Sequence, residues 1–559
     1  MSARVEVKND NRWAVLVVLC AAALIINVDS TILNVALPTL VRELHATSSQ
    51  LQWIVDSYAM VFAGLLLVSG SMADRFGRRK FFLLGLAVFG AGSIAAAFSG
   101  SVDLLIPSRA LMGVGAALTI PSSLSIVNDV FRDPRQRARA IGAWGGIIGL
   151  GIAIGPIAGG LLLARFWWGS VFLVNVPIVI AALIGTLVLV PDSKNPAVAR
   201  ADPVGVVLSI AGLGLLLWAI IEGPTQGWAS PDVIAAGLAS LIVIGGFVAW
   251  ESHSHHPMLN LGLFEDRRFS IAAAAECLGV FGLLGALFVV TQFLQFDLAL
   301  SPLQAGLRIL PMAGVLVVCA VLSPVAVRAI GAKLTVAAAL AAVAAGLWQI
   351  SAVSTGATSY GDVVPGLLLI GLGAGLLLPT ATNSVVGSVP QGDSGIGSAI
   401  NTMALQVGGA IGVAVVGSLL ATRYQDHMGR ALAGRHLPVE ITHTIIGSFG
   451  GALGVASAVG GATGTLLAHA ARAAFMSGLE VSFLVGAVVS LTGVVIALVW
   501  LPSHNLPVPR DPPLGPVVAV DHLALTDDDG RSIVNREPGG ARDASGQIPA
   551  GSLKAPSPS

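Results

Sequence analysis

The sequence predicts an all-α integral membrane protein with fourteen transmembrane helices, and three observations support this fold class. Of the 559 residues, 55% are hydrophobic and only 11% are charged, whereas about 25% of the residues in soluble domains are charged. The chain contains fourteen apolar runs of roughly 18–25 residues, the length that one helix needs to cross a bilayer. Lys and Arg concentrate in alternate connections, 22 on one side against 6 on the other, as the bias toward cytoplasmic cations requires.

The predicted spans follow one another through mostly short connections of turn-forming or charged residues. They cover residues 13–37, 49–72, 81–99, 103–128, 139–164, 169–190, 203–221, 231–250, 270–296, 303–327, 332–352, 363–388, 397–421 and 478–501. The cations place the N-terminal segment 1–12 and the tail 503–559 in the cytoplasm, so a multi-pass protein of the cytoplasmic membrane is expected. The tail is rich in Pro, Gly and Asp and is expected to be disordered.

One segment could add a fifteenth span. Residues 441–470 are apolar but rich in Gly, Ala and Thr, which makes them weakly hydrophobic for a lipid-facing helix. A fifteenth span would also move the charged tail to the outside. We therefore expect 422–477 to be a long outside loop that contains an interfacial or re-entrant helix.

An internal repeat divides the spans. GVGAALTIP at 113–121 recurs as GLGAGLLLP at 371–379, which indicates a duplication. The repeat predicts two six-helix bundles, 13–190 and 270–501, with two inserted linker helices at 203–250 between them. Parallel repeats of six spans around a central site are a transporter architecture.

Several classes of protein are excluded. A net charge of zero gives no indication of nucleic-acid binding, and three cysteines in apolar segments do not form a disulfide framework. The ATP-binding pattern G-x-x-x-x-G-K-[ST] is absent from the sequence. No nucleophile–base pair or metal-ligand spacing stands out, and the histidine run at 253–256 is interpreted as a solvated loop. An enzyme, a metal site and a cofactor are not expected.

Five motifs carry a family resemblance. They lie at Val28–Pro38, Gly70–Gly85, Pro107–Leu118, Gly151–Gly160 and Gly397–Ala414. In this order and spacing the chain resembles, over 13–501, the 14-spanner drug:proton antiporters of the major facilitator superfamily. The resemblance implies alternating access and monomeric, proton-coupled export of lipophilic, often cationic compounds across the bilayer. A dedicated exporter of one endogenous antibiotic, siderophore or lipid remains an alternative, as does a non-transporting sensor or scaffold.

Three charged residues lie inside predicted spans at similar depth. At 1.5 Å per residue, Asp29 lies ~24 Å along the first span, and Arg109 and Asp56 lie ~9 and ~10 Å from the outer edge of theirs. A carboxylate in hydrocarbon is costly and indicates a functional site. Arg109 would keep one carboxylate charged, while burial and repulsion would favour the protonated form of the other. We expect these three residues to couple transport to protons.

The connection between the second and third spans predicts a conformational clasp. Asp74 could accept hydrogen bonds from helix N-terminal amides or pair with Arg75 or Arg78. The bias toward cytoplasmic cations alone would explain the arginines but not the spacing of glycine and aspartate. The expected clasp residues are Gly70, Asp74, Arg75, Gly77, Arg78 and Arg79.

Polar and small residues inside the spans predict a substrate path and a packed seam. Gly151, Gly155 and Gly159 share one helix face next to Pro156 and Gly160, and the resemblance implies that this face seals the pathway between the halves.

Asn27, Thr31 and Asn34 share a face of the first span that points nearly opposite to Asp29. The substrate-path candidates are Asn27, Thr31, Asn34, Glu276, Gln292, Gln295 and Glu222, although an amide within a span more often makes a packing hydrogen bond than a substrate contact. Asp297 and Arg308 lie at adjoining ends of the ninth and tenth spans and could form a simple structural pair.

Overall fold

The chain folds as a bundle of helices. The computed structural model describes residues 11–131, 133–194, 202–254, 259, 261–354, 358–389, 394–435 and 437–502. The helices are α1 (Asn11–Leu44), α2 (Ser48–Phe76), α3 (Arg78–Ala97), α4 (Val102–Val130), α5 (Pro134–Arg165), α6 (Ser170–Leu173), α7 (Asn175–Leu189), α8 (Pro203–Gln226), α9 (Pro231–His253), α10 (Arg267–Gln292), α11 (Pro302–Val353), α12 (Tyr360–Gly387), α13 (Ser394–Leu432), α14 (Val439–Gly447), α15 (Phe449–Val459) and α16 (Gly461–Trp500). A 3-10 turn, Leu261–Glu265, precedes α10, and a π turn, Phe293–Asp297, follows it.

Each of the fourteen predicted spans falls on a helix. Within the described residues, 12 helices are long and apolar enough to cross a membrane. The long helix α11 contains two predicted spans and bends at Gly331, whose φ of 81° suits glycine because it lacks a Cβ. Several helices are longer than the spans predicted for them. The helix α1, with 34 residues, is ~51 Å long and extends beyond a membrane core of ~30 Å.

Polar residues in the connections cap the starts of several helices. Thr47 and Gln50 form a reciprocal capping box at the start of α2, and Ser301 and Gln304 form another at the start of α11. In each box the two side chains accept from two backbone N–H groups that a helix start leaves free. The Asp133 side chain accepts a bond from the amide of Gln136 and begins α5.

The helices pack as two groups with matching contacts. The first group is α1–α7, and the second is α10–α13 together with α16. In the first group Gly113 lies against the backbone of Tyr58, and in the second Gly371 lies against the backbone of Met312. The α8–α9 pair stands beside them, with α8 packed on α2 of the first group and α13 of the second.

The two groups meet along α2 and α13 and along α5 and α11. We call the end of the molecule where α1 begins the near side and the end where α1 finishes the far side. On the far side, a Cβ on Gly160 would lie 2.7 Å from Leu303 Cα, so α5 and α11 touch through their backbones. Nearer the near side, a Cβ on Gly142, Gly145 or Gly314 would meet no atom within 4 Å. The close α5–α11 seam therefore belongs to the far side.

Residues 422–477 are more helical than a loop with one short helix. The helix α13 continues to Leu432, and α16 already begins at Gly461, with α14 and α15 between them. At 9 and 11 residues, α14 and α15 are too short to cross a bilayer, so the segment adds no fifteenth span. The rings of Phe449 and Phe475 stack at 4.4 Å, which holds α15 on α16.

Some predictions fall on residues outside the described ranges. The disordered tail 503–559 and most of the N-terminal segment 1–12 lie there, as do His255 and His256 of the histidine run.

Candidate functional site

A buried ion pair joins three helices of the first group. Arg109 on α4 and Asp29 on α1 are 1% and 0% exposed, and Arg109 Nη1 lies 2.5 Å from Asp29 Oδ2. Asn175 on α7 donates from Nδ2 to Asp29 Oδ1 at 2.9 Å and to Ser93 at 3.2 Å. Both oxygens of this carboxylate therefore have a partner, as a buried charge requires.

The guanidinium of Arg109 is enclosed on its other sides. Its Nε donates to the carbonyl of Ile54 at 3.1 Å. Its Cζ lies 4.5 Å from the ring centre of Tyr58 and 5.8 Å from that of Phe172. Such cation–π contacts strengthen when they are desolvated. Arg109, on α4, is thus held by side chains and backbone of α1, α2 and α6 together.

Asp56 is fully buried but lies outside this network. Neither of its carboxylate oxygens has a hydrogen-bond partner. The expected three-residue cluster is therefore a bonded pair, Asp29 and Arg109, and a separate acid on α2. Burial without a partner strongly favours the neutral form of a carboxyl group.

The polar face of α1 packs against α5. Thr31 donates to the carbonyl of Gly151 at 3.2 Å, and a Cβ on Gly151 would lie 2.8 Å from Asn27 Cβ. Gly155 faces Thr31 in the same way. Asn27 and Thr31 therefore lie in a helix contact here.

The other predicted residues of α1 and α5 continue this arrangement. Asn34 donates to Ser30 at 3.4 Å, and its Oδ1 has no partner. A Cβ on Gly159 would lie 2.9 Å from Ile32, again on α1. The carbonyl of Pro156 faces Gly306 of α11, next to the contact of Gly160. The glycine motif thus packs α5 on α1 through one face and on α11 through the other.

The predicted clasp lies on the near side of the first group. Arg78 Nε is 2.6 Å from Asp74 Oδ1, and its Nη1 is 3.7 Å from Asp129 on α4. The backbone amide of Arg78 donates to the carbonyl of Ser193 at 2.9 Å. The partner of Asp74 is thus the Arg78 side chain, and the clasp ties the α2–α3 connection to α4 and to the segment after α7.

The remaining clasp residues shape the same connection. Gly77 has φ 127°, which favours glycine, and a Cβ there would lie 3.3 Å from Asp192 Oδ1. Arg79 donates to the carbonyl of Leu187 at 2.6 Å. Arg75 lies over the Phe76 ring at 5.5 Å, and a Cβ on Gly70 would lie 3.5 Å from Pro121.

The second group buries Glu276 without a cation. Thr382 on α12 donates to Glu276 Oε1 at 2.8 Å, and Asn401 on α13 donates to Thr382 at 3.2 Å. Glu276 is 0% exposed, and its Oε2 has no hydrogen-bond partner. Across the described chain, three or more His, Cys, Asp or Glu side chains nowhere gather as metal ligands would.

The other substrate-path candidates lie toward the far side. Gln295 donates to the carbonyl of Val35 at 2.8 Å and accepts from Arg42 at 3.5 Å, so it links the groups. Gln292 donates to Phe288 in its own helix. Glu222 accepts from Trp53 at 3.2 Å and from Thr225 at 2.8 Å.

A far-side cavity of about 360 Å³ is separate from these charged residues. It lies between the start of α2, the end of α8, the end of α13 and α14, and Thr47, Ile221, Gln425 and His443 line it. Trp53, the partner of Glu222, stands on the neighbouring turns of α2.

Sequence reasoning missed three partners. The sequence did not predict Asn175 as a partner of Asp29 or Asp129 as a partner of Arg78. Asp297 pairs with Arg472 on α16 at 3.6 Å, so the expected pair with Arg308 was wrong. Arg308 instead lies over the ring of Tyr360 at 4.8 Å.

Known proteins share this fold and much of this sequence. The chain is 36% identical to the multidrug efflux pump LfrA of Mycolicibacterium smegmatis, covering 87% of this chain and 95% of that protein. It is 31% identical to the tetracenomycin C resistance and export protein of Streptomyces glaucescens, covering 87% and 91%. A bacterial homologue of the human lysosomal transporter Spinster, in an inward-facing and occupied conformation, has the same fold, with a TM-score of 0.61, 15% identity and coverage of 89% and 98%. Residues 19–413 match the sequence model of the Major Facilitator Superfamily, so this chain belongs to that superfamily of membrane transporters.

Proposed function

We propose that this protein is an antiporter that exports lipophilic, often cationic drugs or toxic compounds in exchange for protons. It would act in the cytoplasmic membrane with its near side, and both termini, in the cytoplasm. The names of the relatives support drug export, since LfrA is a multidrug efflux pump and a 35% identical relative from Mycobacterium tuberculosis (strain CDC 1551 / Oshkosh) is a multidrug resistance protein that covers 74% of this chain.

The buried pair of Asp29 and Arg109 carries the proposal of proton coupling. A proton bound to Asp29 would remove its charge and leave the guanidinium of Arg109 without a counter-ion. Because that loss is large in a buried site, the contacts among α1, α4 and α7 would change with protonation. One charge moved through 100 mV is worth about 2.3 kcal/mol, which suffices to drive a useful substrate gradient.

The contacts between the groups support alternating access. Backbone contact at Gly160 and Leu303 closes α5 on α11 at the far side. Opening of the far side would separate this seam, while the clasp of Asp74, Arg78 and Asp129 would hold the near side of the first group in one arrangement. The small residues at the seam allow separation and closure without steric interlocking.

A dedicated exporter of one metabolite is the second candidate. The tetracenomycin C resistance and export protein favours it, because that relative is named for one compound and matches 87% of this chain. Transport measured against a panel of dyes and natural antibiotics separates the two: broad uptake supports multidrug export, and uptake of a single compound class supports the dedicated exporter.

Transport in proteoliposomes with an imposed pH gradient tests the main proposal. We expect substrate movement to follow the gradient in the wild type and to lose that dependence in Asp29→Asn. Glu265→Gln, at an exposed acid before α10, serves as the control. Transport by Asp29→Asn that still follows the gradient at the wild-type rate would contradict a role of Asp29 in proton coupling.

A further inference from the structure

Glu276 is the most enclosed uncompensated acid of the second helix group. It lies about 14 Å along α10 from its near-side start, at 1.5 Å per residue. Asp29, by contrast, belongs to the first group and contacts residues near the far-side starts of α4 and α7. The two acids therefore occupy opposite groups and different depths.

The surroundings of Glu276 leave two acceptor oxygens without a partner. Thr382 donates its only hydrogen to Glu276 Oε1, and Asn401 donates from Nδ2 to Thr382. Glu276 Oε2 and Asn401 Oδ1 are both buried and have no partner. Among the described residues, no Lys, Arg or His nitrogen lies within 4 Å of the Glu276 carboxylate. The cluster thus contains no cation, and its two buried acceptor oxygens lack partners, which a ligand with a cationic N–H group could supply.

An apolar layer covers this cluster on the near side. It consists of buried side chains from α2, α10, α12, α13 and the segment before α10: Leu67, Leu259, Phe269, Ala272, Ala273, Val385, Val389 and Ile400. Among the buried residues of this layer, Leu67 on α2 belongs to the first group. A movement between the groups would withdraw Leu67 and open the layer, while Thr382 already has exposed surface.

We propose that Glu276, Thr382 and Asn401 form a binding site for the cationic, hydrogen-bond-donating end of a lipophilic substrate. This inference rests on the proposed export function and names the charge contact within it. In the empty site Glu276 carries a proton, because an unpaired buried carboxylate is too costly. When the substrate cation enters, Glu276 releases that proton to water and its carboxylate balances the new positive charge. Occupation thus leaves the net charge of the site unchanged.

Binding to the purified full-length protein tests this site. The probes are ethidium, a lipophilic cation with amino groups, and Nile red, a neutral dye. We expect Glu276→Gln to weaken ethidium binding at least tenfold, to remove one proton from the number released on binding, and to leave Nile red affinity within twofold. Gln has the same shape and still accepts from Thr382, so folding is maintained; Glu265→Gln should match the wild type.

Asn401→Ala separates hydrogen bonding from charge. We expect it to weaken ethidium at least threefold and to leave tetraphenylphosphonium, a cation without N–H groups, within twofold. Equal loss of both cations would contradict the role of Asn401.

The failures can be told apart. If the wild type shows no pH-driven ethidium transport, the proposed function fails. If the wild type transports ethidium but Glu276→Gln binds it within twofold of the wild type, or loses Nile red equally, the site alone is overturned.

Discussion

The two helix groups share their packing and differ in what they bury. Gly115 lies against Phe89 in the first group, and Gly373 lies against Val343 in the second, as the repeat predicts. Yet Arg109, four residues before its glycine motif, corresponds to Leu367, which is buried among apolar residues. The duplication has therefore kept the helix contacts while only one copy carries the charge pair.

This difference separates two ways of burying an acid. Asp29 has a cation, Arg109, and an amide donor, Asn175, so three helices depend on one carboxylate. Glu276 has hydroxyl and amide neighbours only, so its neutral form fits the site and its charge needs a ligand. We expect substitutions at the first acid to affect stability and those at the second to affect binding.

Arg109→Ala should have the largest effect. It leaves Asp29 buried without its cation, and loss of one partner of a buried pair costs about 3–5 kcal/mol. Thermal unfolding in detergent measures this loss. The double variant Asp29→Asn with Arg109→Ala should recover part of the stability, whereas Glu276→Gln should stay close to the wild type. If Glu276→Gln destabilises as much as Arg109→Ala, the contrast between the groups is wrong.

Hydropathy and charge were enough to predict the helices, because each span must satisfy its backbone internally and cover itself with apolar side chains. The depth of Asp29, Asp56 and Arg109 also followed from the helix rise. Depth alone could not pair them: the bonds of Arg109 go to Asp29 and the Ile54 carbonyl, and Asp56 has no partner.

Other features depend on tertiary contacts that spacing does not encode. Nothing local relates Asn175 to Asp29, which is 146 residues away. The helices α14 and α15 are too short to be recognised as spans, and contacts such as Tyr424 with the carbonyls of Ile445 and Ser448 hold this segment in place.

Asn175→Ala compared with Asn401→Ala sharpens the contrast. Asn175 donates to a charged carboxylate, and such bonds contribute about 1.5–3 kcal/mol, whereas Asn401 donates to a neutral hydroxyl, a bond of about 0.5–1.5 kcal/mol. We expect the unfolding midpoint to fall further for Asn175→Ala. Equal shifts would indicate that Asp29 does not carry its charge in the folded protein.

Gly160→Ala compared with Gly142→Ala tests the seam between the groups. A Cβ at Gly160 would lie 2.7 Å from Leu303 Cα, so the added methyl should cost about 1–3 kcal/mol and slow transport by loosening far-side closure. Gly142 faces open space, where alanine should be neutral or stabilise the helix by up to about 1 kcal/mol. Unfolding and transport rates together check this pair, and a matching loss in Gly142→Ala would show that the near side of α5 is also packed.

Asp129→Asn should have the smallest effect on stability. Its carboxylate is 40% exposed and 3.7 Å from Arg78, and exposed pairs contribute about 0–1 kcal/mol. Asp74→Asn should cost slightly more, because Asp74 is 26% exposed and binds Arg78 at 2.6 Å. Both changes act at the near side of the first group, away from the buried pair.

If the clasp controls conformation rather than folding, both variants will unfold near the wild-type midpoint while their transport rates fall. The transport rate should fall more steeply for Asp74→Asn. Unchanged transport in Asp74→Asn would reduce the clasp to a surface contact and leave Asp29 and Arg109 as the charged contact of the first group on which transport depends.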